Sequence, residues 1–185
     1  MNILNTMLQR KTYNGSAGEV AEADLRMILE CALAAPDHKR MRRTHYLVCQ
    51  PEKKATLAEH ILHATYGNDY SPEQAQGVMK KLSFAPLIII VSIDCSPQDR
   101  VPYDELILAA GAGIQNLIIA AEALDYQTSW KTGAWAYNAQ VHERLGLLGS
   151  SKIAGIIGVG RGEATNEALP PTDRPSFADN LRLLT

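Results

Sequence analysis

Cysteine is scarce in this 185-residue chain: Cys31, Cys49 and Cys95 stand far apart, odd in number and within apolar runs. That argues against a disulfide or cysteine-based zinc framework and for buried free thiols in a reducing compartment. No HExxH and no paired CxxC occurs, which removes common zinc signatures. His60 and His63 could share a helix face, but two histidines without a third ligand read as surface residues rather than a metal site, and no metal is expected. An excess of one charge is missing too. Eighteen Lys and Arg stand against 20 Asp and Glu, a net charge of -2, so there is no global pull toward nucleic acid or anionic membrane. The first residues, MNILNTMLQRKTYNG, hold too short an apolar run for a signal peptide. The longest apolar stretch, 106–124, contains Gln115, Asn116 and Glu122 and reads as a buried helix rather than a membrane span. Internal repeats and low-complexity linkers are absent. A cytoplasmic protein without a membrane or nucleic-acid partner is expected.

What is present fits one domain over 1–185, with 46% hydrophobic and 21% charged residues, a globular composition. Leu25, Ile28, Leu29, Ala32 and Leu33 recur at helical spacing, predicting a helix over about 20–34 that Pro36 helps to end. Residues 45–49 predict a short strand, and a helix follows from Pro51 with Leu57, Ile61 and Leu62 inward. Ser71-Pro72-Glu73-Gln74 has the form of a capping box opening a helix to Leu82. The run LIIIVSI, 87–93, predicts a strand buried on both faces. Residues 104–125 predict a long helix, apolar almost all round and therefore buried. Gly111 and Gly113 weaken that helix intrinsically, which implies close packing there. Asn138 could cap a short helix ended by Gly146, and 153–159 form a second core strand. The tail 163–185 is polar and proline-containing, suited to an arm on a partner subunit or to a frayed end. Helices outnumber strands without regular alternation, which predicts an α+β fold.

Three segments could carry chemistry. Gln9-Arg10-Lys11-Thr12 closes an N-terminal helix, and its guanidinium, ammonium and hydroxyl suit a phosphate. Residues 34–43, AAPDHKRMRR, are a helix end and a turn that set His38 beside Lys39, Arg40, Arg42 and Arg43. Residues 129–134, SWKTGA, follow the long helix; a glycine among small residues lets backbone N–H groups approach a planar ligand. The run GVGRG at 158–162 looks like a phosphate loop, but a polar tail rather than a helix follows, so a strand end turning on glycines is expected.

Together these segments resemble the nitroreductase family, and more closely its short, single-domain NAD(P)H nitroreductase branch. The resemblance rests on RKT at 10–12, LECALAAPDHK at 29–39, AAGAGIQNLIIAAEALDYQTSWKTG at 109–133 and IAGIIGVG at 153–160. It implies an α+β homodimer with a central, mainly antiparallel sheet flanked by helices, the long helix at the dimer core, and FMN at the subunit interface. By that resemblance Arg10, Lys11 and Thr12 hold the FMN phosphate from one subunit. His38, with backbone near Pro36 and Asp37, comes from the other. Lys131, Thr132 and Gly133 line the isoalloxazine, with Lys131 as positive charge near its N1–O2 edge.

The implied activity is ping-pong hydride transfer from NAD(P)H to nitro compounds, quinones or related small acceptors, with no catalytic residue of the protein's own. The turn after the proline departs from the family. Many members carry Asn and then Gln-Pro-Trp, where this chain has Arg40-Met41-Arg42-Arg43-Thr44. Arg42 or Arg43 could meet an acidic substrate or the NADPH 2′-phosphate, or the turn could be simply solvated. A flavin-binding protein without turnover is the alternative reading. A basic-patch binding module is a further one, disfavoured by the overall acidity.

Overall fold

A computed structural model describes residues 2–13, 16–96, 101–162, 180–182 and 184. Most of the expected C-terminal arm, 163–185, lies outside the described residues. Six α-helices and four strands alternate irregularly along them: α1 Ile3–Gln9, α2 Glu22–Leu33, β1 Thr44–Cys49, α3 Lys54–Tyr66, α4 Pro72–Leu82, β2 Leu87–Ile93, α5 Tyr103–Ala123, β3 Gln127–Lys131, α6 Ala139–Arg144 and β4 Lys152–Gly160. The strands form one sheet in the order β1-β2-β4-β3, antiparallel at every pairing. The fold is α+β, as the element pattern predicts.

Local signals explain the boundaries. The Ser71 hydroxyl accepts from the Gln74 N–H while the Gln74 side chain accepts from the Ser71 N–H, completing the capping box of α4. Asn138 accepts from Gln140 and Val141 at the start of α6, and Gly146 follows that helix with φ 72°. β3 escaped the sequence analysis. Its residues, QTSWK, lack an apolar alternation: the two buried positions, Thr128 and Ser129, are adjacent and polar, so no hydrophobic pattern marks the strand.

β2 lies inside the sheet and is buried along its whole length. Its side chains alternate between two cores, as a period of two requires. Ile88 and Ile90 join Leu57, Ile61, Leu62, Val78, Leu82 and Val141 from α3, α4 and α6. Leu87, Ile89 and Val91 join Ile28, Ala32, Ile114, Leu117 and Ile118 from α2 and α5. The sheet is thus sandwiched between two helical layers. α5 is long and apolar enough to cross a membrane by length and composition, but here it packs between α2 and the sheet. Its burial is one-sided: Ile114 and Leu117 are fully buried, whereas Leu108 is 71% exposed. Of the three free thiols, Cys49 is buried, but Cys31 and Cys95 are only half-buried.

Candidate active site

The phosphate-type segment follows directly from α1. The Arg10 N–H closes that helix on the Thr6 carbonyl at 2.9 Å, and the chain then runs extended. The Tyr13 N–H donates to the Thr128 carbonyl at 3.1 Å, tying the segment to edge strand β3. Within it, Arg10 Nη1 donates to the Lys11 carbonyl and to Thr12 Oγ1 at 3.2 and 3.3 Å. Two cations and a hydroxyl are thereby gathered in three residues, a donor set that matches a phosphate.

Sequence reasoning missed one member of this group. Glu122, in the last turn of α5, accepts from the Lys11 N–H at 3.3 Å. Burial raises its pKa above the ordinary carboxylate value, while that hydrogen bond and the charges of Arg10 and Lys11 pull the other way. Burial, and then the Glu122 charge, likewise raise the pKa of Tyr13. The signal was present: a carboxylate at a helix C-terminus opposes the macrodipole, so it needs partners from elsewhere.

Lys131 ends β3, and Thr132 and Gly133 follow it, all three exposed. Gly133 has φ 65°, in the left-handed region, and a Cβ placed there would meet nothing within 4 Å. Its backbone is open to a flat ligand. Lys131 Nζ lies 4.3 Å from the centre of the Phe84 ring. A cavity of about 530 Å³ joins these residues to Lys80, Lys81, Phe84 and Trp135.

Pro36, Asp37 and His38 lie elsewhere, after α2 and before β1, which forms the opposite edge of the sheet. His38 Nδ1 meets Glu105 Oε2 on α5 at 2.6 Å. Asp37 Oδ2 accepts from the Arg42 N–H at 2.7 Å. Lys39, Arg40 and Arg42 all have φ near 53°, sparsely populated for residues with a Cβ. Farther along, Asp94 anchors the turn's exit. It contacts His45 Nε2 at 2.9 Å, accepts from Ser151 Oγ at 2.6 Å, and its N–H donates to the Arg43 carbonyl. Pro36 and Asp37 line a cavity of about 420 Å³, and with His38 they line another against the open face of α5. Neither shares a residue with the cavity at Lys131–Gly133. Within one chain the expected site residues therefore form two separate groups.

Two other sequence features have structural roles. β4 ends at Gly160, and Arg161 stacks over the Tyr126 ring at 4.4 Å while its Nη2 reaches the Leu124 carbonyl, so GVGRG is a strand end. His63 Nδ1 contacts the Gly67 carbonyl and its ring meets Tyr70 edge-on.

Comparison with known proteins bears on the family and the fold. The family model described as "Nitroreductase family" matches residues 10–161. The Escherichia coli (strain K12) protein named "Putative NAD(P)H nitroreductase YdjA" is 29% identical over 164 residues, covering 86% of this chain and 88% of its own. A nitroreductase-like family protein from Bacillus cereus superposes with a TM-score of 0.82 at 23% identity, covering 100% of this chain and 96% of its own. A nitroreductase with bound FMN from Bacteroides fragilis gives a TM-score of 0.73 at 17% identity, with 100% of both chains covered. These matches and the antiparallel α+β fold point one way: the chain belongs to the nitroreductase family.

Proposed function

We propose that this protein is an FMN-dependent oxidoreductase that uses NAD(P)H to reduce nitro compounds, quinones or related small acceptors, and that it works as a cytoplasmic homodimer. The observation that carries this reading is the pair of groups along β3: the cationic Arg10-Lys11-Thr12 segment bonded to it, and the open backbone at Gly133 just past its end. When bound, FMN supplies hydride transfer from NAD(P)H to the acceptor, in ping-pong order.

The chain's own residues bind, orient and shield. Arg10 and Lys11 neutralise the phosphate, and the Thr12 hydroxyl donates to it. Backbone N–H groups near Thr132 and Gly133 face the ring, and the Lys131 ammonium supplies positive charge beside it. Pro36, Asp37 and His38 serve the site of the other subunit, which accounts for their separation from Lys131 within one chain. The dimer covers the open face of α5 and the exposed Ile3, Met7 and Met27, which edge an apolar groove of about 490 Å³. In this reading 1–185 is one domain, and 163–185 is an arm laid on the partner.

The test is direct. The purified protein is yellow, or takes up added FMN, and bleaches with NADH or NADPH; a colourless protein that takes up no FMN overturns the reading. Arg10→Ala removes a charge-assisted contact and should weaken FMN roughly 10- to 100-fold while leaving NAD(P)H affinity nearly unchanged. Unchanged FMN affinity would remove Arg10 from the site.

A further inference from the structure

The cavity beside Lys131–Gly133 carries more than a ring site requires. Three ammonium groups, those of Lys80, Lys81 and Lys131, line it, and no acidic side chain does. That is a strong local excess in a chain of net charge -2. Lysines in the last turn of α4 would ordinarily be explained by the helix dipole. Here, however, Lys81 Nζ is turned to the face of Trp135 at 5.8 Å, as Lys131 Nζ is to the face of Phe84 at 4.3 Å. Among the described residues, none of the three ammonium groups has a carboxylate partner. Aromatic faces hold cations only weakly at exposed positions, so these ammonium groups can swing onto an anion without breaking an ion pair. Two aromatic side chains meanwhile offer flat apolar surface. The cavity of about 530 Å³ is then shared between the flavin ring at Lys131–Gly133 and this aromatic end, whose flat walls suit a small planar molecule.

We propose that this cavity selects the electron acceptor, favouring a planar aromatic oxidant that bears a carboxylate or similar anionic group. The anion sits at Lys80 and Lys81, and the ring lies along Phe84 and Trp135. This rests on the reading of Lys131–Gly133 as the flavin side, because only then does the reducible group face the reductant. The supported step is balanced: one nitroarene, one NAD(P)H and one proton give the nitroso compound, NAD(P)+ and water. Lys80 and Lys81 act on binding and selectivity only.

The experiment compares para-nitrobenzoate with the neutral para-nitrobenzamide on the protein as purified with its cofactor. Binding is read first from quenching of tryptophan fluorescence, which requires no turnover, and then from KM in NAD(P)H oxidation. The wild type should bind the benzoate several-fold more tightly, and the preference should fall with added salt. Lys80→Ala/Lys81→Ala should erase the preference by weakening the benzoate about three- to tenfold with the benzamide unchanged, and Lys81→Glu should reverse it. Equal binding of both probes by the wild type, or a preference that survives the double variant, overturns the proposal. So does a double variant whose FMN affinity drops while its selectivity is unchanged, since the lysines would then serve the flavin. A protein that prefers the benzoate by fluorescence but takes up no flavin would sink the FMN reading and leave the anion site standing.

Discussion

Gly111→Leu separates the requirements of the single chain from those of the proposed dimer. Gly111 lies on α5 near Ile107, Leu108 and Gln115, and a Cβ added to it meets nothing within 4 Å of its own chain. In an isolated subunit the substitution should therefore stabilise the helix by about 0.5–1 kcal/mol, because Gly is the poorest helix former after Pro. In a two-fold dimer packed through this face the result inverts. Overpacking costs about 1–3 kcal/mol per site, and an isologous interface contains each contact twice. The dimer should weaken by about 2–6 kcal/mol, which raises its dissociation constant roughly thirtyfold at the low end and more than ten-thousandfold at the high end.

Sedimentation velocity over a dilution series, with circular dichroism and flavin absorbance on the same samples, reads all three quantities. The expected variant is folded, dissociates at concentrations where the wild type is dimeric, and loses FMN in step with dissociation. A variant that stays dimeric and yellow, or a wild type that is monomeric yet yellow, would refute the placement of α5 at a shared site. Gly113 supplies the internal contrast. A Cβ there would press on the Tyr46 hydroxyl and crowd the Ala32 carbonyl at 3.3 Å, both in the same chain. Gly113→Ala should therefore lower stability without selectively changing assembly.

Two further outcomes are expected. Glu122→Gln should tighten FMN about two- to tenfold at about pH 8, because it removes a negative charge beside Arg10 and Lys11, and riboflavin, which has no phosphate, should gain nothing. The pKa of Glu122 is raised by burial, so the protonated form is favoured in the folded state: its contribution to stability is full below the unfolded pKa and is lost as pH rises through the folded value. The advantage of the Gln variant, in stability and in FMN affinity, should accordingly shrink as pH falls through that raised value; an FMN gain independent of pH would count against a charge effect. Gly158→Ala would drive a Cβ into the Phe84 ring and against Ala85, at about 1–3 kcal/mol. Thermal unfolding should drop by about 2–10 °C and the Lys131–Phe84 contact should be disturbed; an unchanged melting temperature would show that Phe84 moves aside freely.

Much of the molecule is written in local pattern. Ser71 and Gln74 sit three residues apart and can only cap the same turn. The run from Leu87 to Ile93 has no polar face to show to water, and Asn138 and Gly146 punctuate a short helix, so these elements are legible without knowledge of neighbours. The segments holding Arg10-Lys11-Thr12, Pro36-Asp37-His38 and Lys131-Thr132-Gly133 stand out by composition, but their assignment to a flavin comes from the family resemblance. β3 was not legible, because an edge strand of mixed polarity is defined by the carbonyls and N–H groups of β4, which no window of its own sequence contains. Glu122 showed only its unfavourable place at a helix C-terminus, because its partner is an N–H 111 residues away. Nor was the lysine-lined cavity legible, since Lys81, Phe84, Lys131 and Trp135 come together only when α4 packs on the sheet near the end of β3. The chain by itself determined element types and the chemical character of each segment, which depend on neighbours within a few residues. Tertiary structure decided which charges face one another, that α5 keeps one apolar face open, and that the expected site residues fall into two groups on opposite edges of one sheet, because those outcomes follow from pairing and packing between distant parts of the chain.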